Sequence, residues 1–386
     1  MSADVEQFDG WDVTLFGGGM GGDLNFLKRR NPVPSLDTGM RFDDSLDPQT
    51  GEKRHDYWIV DPFGERRYHG SCTGLIGEYK RHFDAAAAYA GMKRKGRIVD
   101  PDDEYFGKSL EQCKAEWASN SEESQEHGSR VHAEIELFYN NATNWPTKSE
   151  WLDDCDTSPA LQRFLMFHLE WVVPQRMVPF RTELIIWDEE FEFTGQCDIV
   201  FQREEWRNDP VRRNWVILGD WKRTKKKLLT EEAYRDQRMF GCCSSLPNVS
   251  LSEYKLQLTL YALILQRRTP FIVVELHIGV FHANNTSYQW IPIEPLYDIA
   301  AQMLIERRQK LLFRYSQKML EITQEVAIAE DVARQLGEVV GTSDAVANFD
   351  AARGLHGLLK SQIAFGASNG TVMGAMLISR EKKSAH

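Results

Sequence analysis

Two short acidic motifs each follow an apolar, alternating stretch of the chain. Asp198 lies in GQCDIVF, and Asp220 and Lys222 lie in GDWK. Because side chains alternate along a strand, Asp220 and Lys222 should share one face, with Trp221 on the other. Paired strands would bring Asp198 beside Asp220, where two carboxylates repel each other unless a cation binds between them. Carboxylate oxygens favour Mg²⁺ or Mn²⁺, and a neighbouring ammonium could stabilise charge that develops on a phosphate.

Two predicted helices carry further polar pairs at a spacing of four residues. His132 and Glu136 lie in VHAEIE, and Gln257 and Tyr261 lie in LQLTLY. Residues four apart share a helix face, so His132 could supply a nitrogen ligand and Glu136 a further carboxylate. Structural alternatives exist for each motif. Charged residues often end strands at the surface, and a histidine, glutamine or tyrosine on an amphipathic helix is commonly packed against its neighbours.

The hydrophobic periodicity of the chain predicts the elements that must position these residues. Their order favours an α/β (α+β) fold, in which a small mixed central sheet is flanked by helices and extended by extra helical segments. The predicted elements are helices over 109–141 and 159–173, a β-hairpin over 181–202, a strand over 215–222, a helix over 251–267, a second hairpin over 271–293 and a long helix over about 296–336.

The sequence outside this central part has a different composition. Residues 1–55 are rich in Gly and Asp and have little periodicity, so they predict a flexible N-terminal arm. Residues 56–315 hold the predicted domain with its helical lead-in. Residues 316–386 hold the end of the long helix and a tail rich in Gly and Ala.

Composition limits the classes of function. The 386 residues carry a formal charge of −11, which argues against a protein that coats nucleic acid through bulk charge but permits a local basic groove. No apolar stretch suits a membrane span or a secretory signal, so we expect an intracellular protein. Six scattered cysteines without a CxxC pair predict free thiols in a reducing compartment and no iron–sulfur cluster.

The order of the motifs resembles the RecB-like branch of the PD-(D/E)XK nuclease superfamily. That branch has a helical His/Glu motif, an Asp, a D-x-K and a helical Q-x-x-x-Y, as in GSRVHAEIE, TGQCDIVF, GDWKRTK and YKLQLTLY here. The resemblance covers about residues 70–310. Within this branch, the chain is similar to nuclease-like proteins of large DNA viruses, which have an upstream SxTxxI…FD segment (71–84 here). It is similar also to mitochondrial genome-maintenance exonucleases.

The resemblance implies a restriction-endonuclease-like core and a role for each matching residue. Glu183, in RTELIIW, matches a glutamate that is often found on the first strand of this branch. The implied metal ligands are His132, Asp198, Asp220 and the backbone carbonyl of Trp221. The implied catalytic set is Asp198, Asp220 and Lys222, with Glu136 as a further acidic group and with Gln257 and Tyr261 shaping the site.

Basic residues follow the D-x-K motif directly. Arg223, Lys225, Lys226 and Lys227 could neutralise phosphates beside the site, although a charge run is commonly just a solvated face. The sequence therefore predicts a Mg²⁺- or Mn²⁺-dependent deoxyribonuclease acting on DNA, single-stranded or with free ends, in viral or organellar-type replication, repair or recombination. The alternative is a catalytically silent nucleic-acid-binding or structural protein that retains the fold. Exo- or endonuclease mode and oligomeric state stay open.

Overall fold

The computed structural model describes residues 24–43, 45, 56–60, 66–140, 158–224 and 237–337. These residues form an eight-stranded mixed sheet flanked by helices, so the predicted α/β class is confirmed. The strands are β1 (Met40–Asp43), β2 (Asp56–Val60), β3 (Arg66–Ser71), β4 (Met177–Asp188), β5 (Phe193–Arg203), β6 (Trp215–Lys222), β7 (Ile272–Val280) and β8 (Gln289–Pro292). The helices are α1 (Phe26–Arg30), α2 (Pro34–Asp37), α3 (Cys72–Gly77), α4 (Ala85–Arg94), α5 (Leu110–Asn140), α6 (Pro159–Phe167), α7 (Ser250–Arg268) and α8 (Tyr297–Gly337).

Strand β5 is the centre of the sheet. Strand β4 pairs antiparallel with it along its whole length, which confirms the hairpin predicted over 181–202. The other partners of β5 are β3, parallel to its beginning, and β6, antiparallel to its second half. Strands β1, β2 and β3 form an antiparallel series, and β6 continues through parallel β7 to antiparallel β8.

An aromatic core fixes strand β6 from one side. Trp221 is 1% exposed, and its ring centroid lies 5.4 Å from Phe281, 6.1 Å from Phe167 and 6.2 Å from Phe164. Burial of aromatic rings contributes heavily to core stability. Since Trp221 points into this core, the residues before and after it, Asp220 and Lys222, are directed to the other face.

The helices that carry the sequence motifs form as predicted. The segment predicted over 109–141 is one helix of 31 residues, α5. Helix α6 begins with Ser158, whose hydroxyl accepts a hydrogen bond from the amide of Leu161, and with Pro159 in its first turn. A π-helical turn, His168–Val172, completes the segment predicted over 159–173. Helix α7 forms the parallel crossover between β6 and β7.

The prediction of a flexible arm over residues 1–55 is wrong for Phe26–Asp43. This segment forms α1, α2 and β1, and it buries Leu27 and Leu36 to 1% and 3% exposure. Arg181 of β4 donates hydrogen bonds of 3.0 and 2.9 Å to the two carboxylate oxygens of Asp37. The elements are too short to produce visible periodicity, so only long-range contacts reveal them. Residues 1–23, 44, 46–55 and 338–386 lie outside the described residues.

The chain divides into two compact units. The first comprises Met1–Asp188 and Glu192–Ala300, and the second comprises Glu189–Phe191 and Ala301–His386. The predicted division at residue 315 falls inside α8, which is continuous from Tyr297 to Gly337. Among the described helices, none combines the length and apolar character that a membrane crossing requires.

Candidate metal centre and catalytic residues

Three carboxylates lie in a row across neighbouring strands. Between β4 and β5, the partners Thr182–Ile199 and Leu184–Cys197 flank Glu183 and Asp198. Between β5 and β6, the last partners are Ile199 and Gly219, and continuing this register by one position brings Asp198 to Asp220. Asp198 and Asp220 are 6% and 2% exposed. The predicted proximity of Asp198 and Asp220 therefore follows from strand register, and Glu183 extends the row by one strand.

Glu183 has an unusual backbone conformation for a residue within a strand. Its φ is +45°, a left-handed conformation that costs energy for a non-glycine residue. Its carboxylate accepts a hydrogen bond of 2.8 Å from the side-chain amide of Gln196 on β5. Strain of this kind is concentrated at functional sites in proteins, because surrounding contacts must hold it in place. This conformation separates Glu183 from an ordinary charge on a strand face.

Helix α5 brings His132 to the same row. Its Nδ1 lies 3.6 Å from Asp198 Oδ2 and 3.8 Å from Glu183 Oε1, and its Nε2 lies 3.1 Å from the carbonyl oxygen of Trp221. Asp198 Oδ2 also accepts a hydrogen bond of 2.6 Å from the amide of Trp221. The ligand atoms of His132, Glu183 and Asp198 all lie within 4.8 Å of one another.

Asp220 is held by the residues expected to surround it. Its Oδ2 lies 2.5 Å from Lys222 Nζ, and its Oδ1 accepts a hydrogen bond of 3.2 Å from the Gln257 amide. The same amide lies 3.1 Å from the hydroxyl of Tyr261. The D-x-K motif of β6 and the Q-x-x-x-Y motif of α7 are thus joined by direct contacts.

Tyr254 is a residue of the site that the sequence reasoning missed. Its ring centroid lies 4.7 Å from Lys222 Nζ, a cation–π distance. Tyr254 precedes Gln257 by three residues and Tyr261 by seven, so the three share one face of α7. That spacing was visible in the sequence, but a tyrosine at this position is equally suited to ordinary packing.

The electrostatics of the site reflect an excess of buried negative charge. Burial and the neighbouring Asp198 raise the pKa of Asp220 to about 6, although Lys222 opposes the shift. Burial and Glu183 also raise the pKa of Asp198. Burial alone would lower the pKa of His132, but Asp198 and Glu183 raise it to about 9. The same two effects oppose each other at Lys222, where the carboxylates of Asp220 and Asp198 raise the pKa.

This set of donors fits a divalent cation. A histidine nitrogen and carboxylate oxygens are ligands that Mn²⁺ accepts, and a cation would relieve the repulsion that raises the carboxylate pKa values. His132, Glu183 and Asp198 would hold the ion, with the Trp221 carbonyl adjacent. Asp220, predicted as a ligand, instead contacts Lys222 and lies next to Asp198 in register. The grouping therefore differs from the predicted ligand set in two ways, because it includes Glu183 and lacks Asp220.

The two glutamates that follow His132 on α5, Glu134 and Glu136, have different surroundings. Burial and the charge of Glu183 raise the pKa of Glu136 to about 8, with His132 opposing the shift. The charge of Glu136 is therefore coupled to Glu183 and His132, and its role in the site stays a prediction. Glu134 is buried on another side of the helix, where it accepts hydrogen bonds from Arg130 at 2.9 Å and from Ser158 at 2.7 Å. Glu134 thus links α5 to the beginning of α6.

The predicted phosphate-neutralising residues are only partly described. Arg223 follows β6 directly and is half-buried beside Lys222. Lys225, Lys226 and Lys227 lie outside the described residues.

No protein-family model matches the chain, and no curated protein matches it either. The resemblance to PD-(D/E)XK nucleases therefore stays a prediction from the sequence motifs.

Proposed function

We propose that the chain is a divalent-metal-dependent nuclease that hydrolyses phosphodiester bonds in DNA. The observation that carries this proposal is the convergence of three separate motifs. His132 from α5, Asp198 from β5, and Asp220 with Lys222 from β6 lie within direct contact of one another or of a shared neighbour. Two of these motifs are more than 80 positions apart along the chain, so chance composition does not account for their meeting.

The residues would divide the work of hydrolysis among them. His132, Glu183 and Asp198 would hold the ion, which when bound would polarise a phosphoryl oxygen or acidify a water molecule. Lys222 presents an ammonium where negative charge would develop on the phosphate. Gln257 and Tyr254 orient Asp220 and Lys222 through the contacts at 3.2 and 4.7 Å. The resemblance to nucleases of DNA viruses and of mitochondrial genome maintenance supports DNA as the substrate.

A cleavage assay tests the proposal. Labelled single-stranded DNA, duplex DNA and RNA are each incubated with Mg²⁺, Mn²⁺ or EDTA. We expect cleavage of DNA with metal and none with EDTA. Asp198→Asn and Lys222→Met should each abolish cleavage, while matched substitutions of exposed residues, Asp298→Asn and Lys114→Met, should leave it unchanged.

The second candidate is a DNA-binding protein that does not cut. The observation that favours it is the ion pair of 2.5 Å between Lys222 and Asp220, in which each charge partly compensates the other without a metal. Binding of DNA that is equal with metal and with EDTA, together with no cleavage in any condition, would establish this candidate. Cleavage of RNA alone would place the substrate in the other class of nucleic acid.

A further inference from the structure

A strongly basic segment lies beside the candidate site in a chain that is acidic overall. Residues 79–97 contain six basic residues and one acidic residue, whereas the whole chain carries a net charge of −11. A local excess of positive charge in an acidic protein attracts phosphate groups to one part of the surface. The basic residues are Lys80, Arg81, Lys93, Arg94, Lys95 and Arg97, and the acidic one is Asp84.

Aromatic rings are exposed at the beginning of this segment. Phe83 is 70% exposed, although it contacts Trp117 edge-on with centroids 5.2 Å apart and an interplanar angle of 84°. Phe240 is 44% exposed, and the guanidinium of Arg81 lies 4.5 Å from its ring centroid. Phe240 carries the stacked guanidinium of Arg81, and Phe83 lies beside Trp117, so the two exposed rings offer aromatic surface to a ligand with flat, apolar faces.

Direct contacts connect this surface to the candidate site. Lys80 forms an ion pair of 2.9 Å with Glu253, and the amide of Arg81 donates a hydrogen bond of 2.9 Å to Asn248. Glu253 immediately precedes Tyr254, whose ring lies 4.7 Å from Lys222 Nζ. At a rise of about 1.5 Å per residue, the first turn of α7 separates the two regions by only a few ångströms along the helix axis.

Two other basic residues of the region have acidic partners. Arg97 contacts Asp103 at 2.6 Å, and Lys108 contacts Glu116 at 2.6 Å. Arg81 instead stacks on Phe240 and donates from Nε to the backbone carbonyl of Arg238, so its positive charge lies beside the exposed rings.

We propose that Phe83, Arg81 and Phe240 form a stacking surface for unpaired bases of single-stranded DNA that leads to the candidate site. The inference rests on the proposed function and specifies its substrate. Unpaired bases offer π faces to aromatic rings, and every base can stack, so recognition is independent of sequence. A duplex hides those faces, so the surface discriminates single strands from double strands. Arg81 can contact both the aromatic surface and the DNA backbone, since its guanidinium stacks on Phe240 and can approach a phosphate.

The test measures binding in EDTA, so that cleavage plays no part. The probes are a labelled oligonucleotide of about 16 nucleotides, its fully abasic counterpart, and a duplex of the same length. We expect Phe83→Ala and Phe240→Ala each to weaken binding of the oligonucleotide about tenfold, with little effect on the abasic strand or the duplex. Arg81→Gln should weaken binding of both single strands and reduce the salt slope by about 0.7.

Three further variants serve as controls. Phe313→Ala removes a ring that is 66% exposed on α8 and should leave binding unchanged. Phe83→Trp should restore stacking, whereas Phe83→Leu should not, and thermal unfolding of each variant checks the fold. Binding by the Phe83 and Phe240 variants that equals wild type, or that falls equally on the abasic strand, would overturn the proposal. So would the absence of any binding by the wild-type chain.

The outcomes also separate this inference from the proposed function. If single strands bind in a way that depends on the two rings but are not cleaved in Mn²⁺, the proposed nuclease activity is contradicted and the stacking surface is supported. If DNA is cleaved in Mn²⁺ but its binding does not change when either ring is removed, the stacking surface is contradicted and the proposed nuclease activity is supported.

Discussion

Glu183 is the residue whose conformation and charge distinguish this site from an ordinary cluster of strand-end acids. It adopts a positive φ, lies opposite Asp198, and contributes to the raised pKa of both Asp198 and Glu136. A residue that strains the backbone and repels its neighbours destabilises the metal-free protein. A bound cation would offset both costs if Glu183 serves as a ligand.

Glu183→Gln should distinguish the effect of Glu183 on stability without metal from its contribution to metal binding. Without metal, the variant should be more stable than wild type by about 1 kcal/mol, because one of the mutually repelling charges is removed. Wild type should gain about 2.7 kcal/mol at a Mn²⁺ concentration of 100 times Kd, and the variant should gain much less.

Thermal unfolding with and without Mn²⁺ measures both effects. Glu205→Gln, at a carboxylate that is 66% exposed, is the control and should behave as wild type. An undiminished Mn²⁺ effect in Glu183→Gln would show that Glu183 is not a ligand.

His168 gives the molecule a sensitivity to acid. It is 4% exposed among aromatic rings, and burial lowers its pKa to about 4. Because the folded-state pKa lies below the unfolded value of about 6.5, the stability that depends on neutral His168 is complete above pH 6.5. It is lost as the pH falls from about 6.5 to about 4, and amounts to about 3 kcal/mol.

His168→Phe should abolish this part of the acid sensitivity. The measurement is the free energy of unfolding by urea at several pH values between 7 and 4, for wild type and variant. The two curves should diverge by about 3 kcal/mol over that range, whereas His127→Phe, at an exposed position on α5, should follow wild type. Parallel curves for His168→Phe and wild type would contradict the assignment.

At the scale of elements, the site depends on how closely α7 approaches β5. A Cβ atom added to Gly195 would lie 2.2 Å from Cε1 of Tyr261, so only glycine permits the observed contact. Tyr261 in turn lies against Gln257, which donates to Asp220. The absence of a side chain at Gly195 therefore allows the observed positions of Tyr261, Gln257 and Asp220 in the candidate site.

Gly195→Ala should displace Tyr261 and loosen the site. We expect a loss of about 2 kcal/mol in the free energy of unfolding from overpacking, together with reduced DNA cleavage. Gly128→Ala is the matched control, since nothing lies within 4 Å of its added Cβ and the residue is inside α5. That substitution should stabilise the protein by about 1 kcal/mol. A neutral Gly195→Ala would show that α7 can shift without affecting the site.

The elements that the sequence predicted well have a long apolar periodicity, and the elements that it missed do not. Strands β4 to β6 and helix α7 carry long apolar periodicities, and their motif residues lie at regular positions on them. Strands β1 and β3 and the short helices α1 and α2 have few apolar residues and form through distant partners. The sequence provided little indication of the proposed role of Glu183, because the local sequence determines neither its φ nor which residue lies across from it on the next strand.

At the scale of the whole molecule, the N-terminal segment joins the two elements that carry His132 and Glu183. The amide of Leu27 donates to Asn140 at the end of α5, and Asn140 donates to Thr182 on β4. The ion pair between Asp37 and Arg181 fastens the same segment to β4. Residues remote from the site in sequence thus hold its supporting elements together.

Asp37→Asn should loosen this attachment. Arg181 is 4% exposed, so the substitution would leave a buried guanidinium without its carboxylate partner, at a cost of about 3 kcal/mol. Urea unfolding measures the loss. Glu204→Gln, which breaks the exposed pair with Arg176, should cost less than about 0.5 kcal/mol. Equal costs for the two substitutions would show that the buried pair contributes no special stability.

The parallel pairing of β3 with β5 also bears on how the chain reaches its native state during synthesis. Gly70 pairs with Phe193, so β3 leaves the ribosome long before its partner does. Until β5 is made, the antiparallel series β1 to β3 has an open edge that can pair with other chains. Such distant pairings also slow folding and prolong the exposure of that edge. The nascent chain should therefore be most prone to aggregation while α5 and α6 are being translated, and should benefit most from chaperones during that interval.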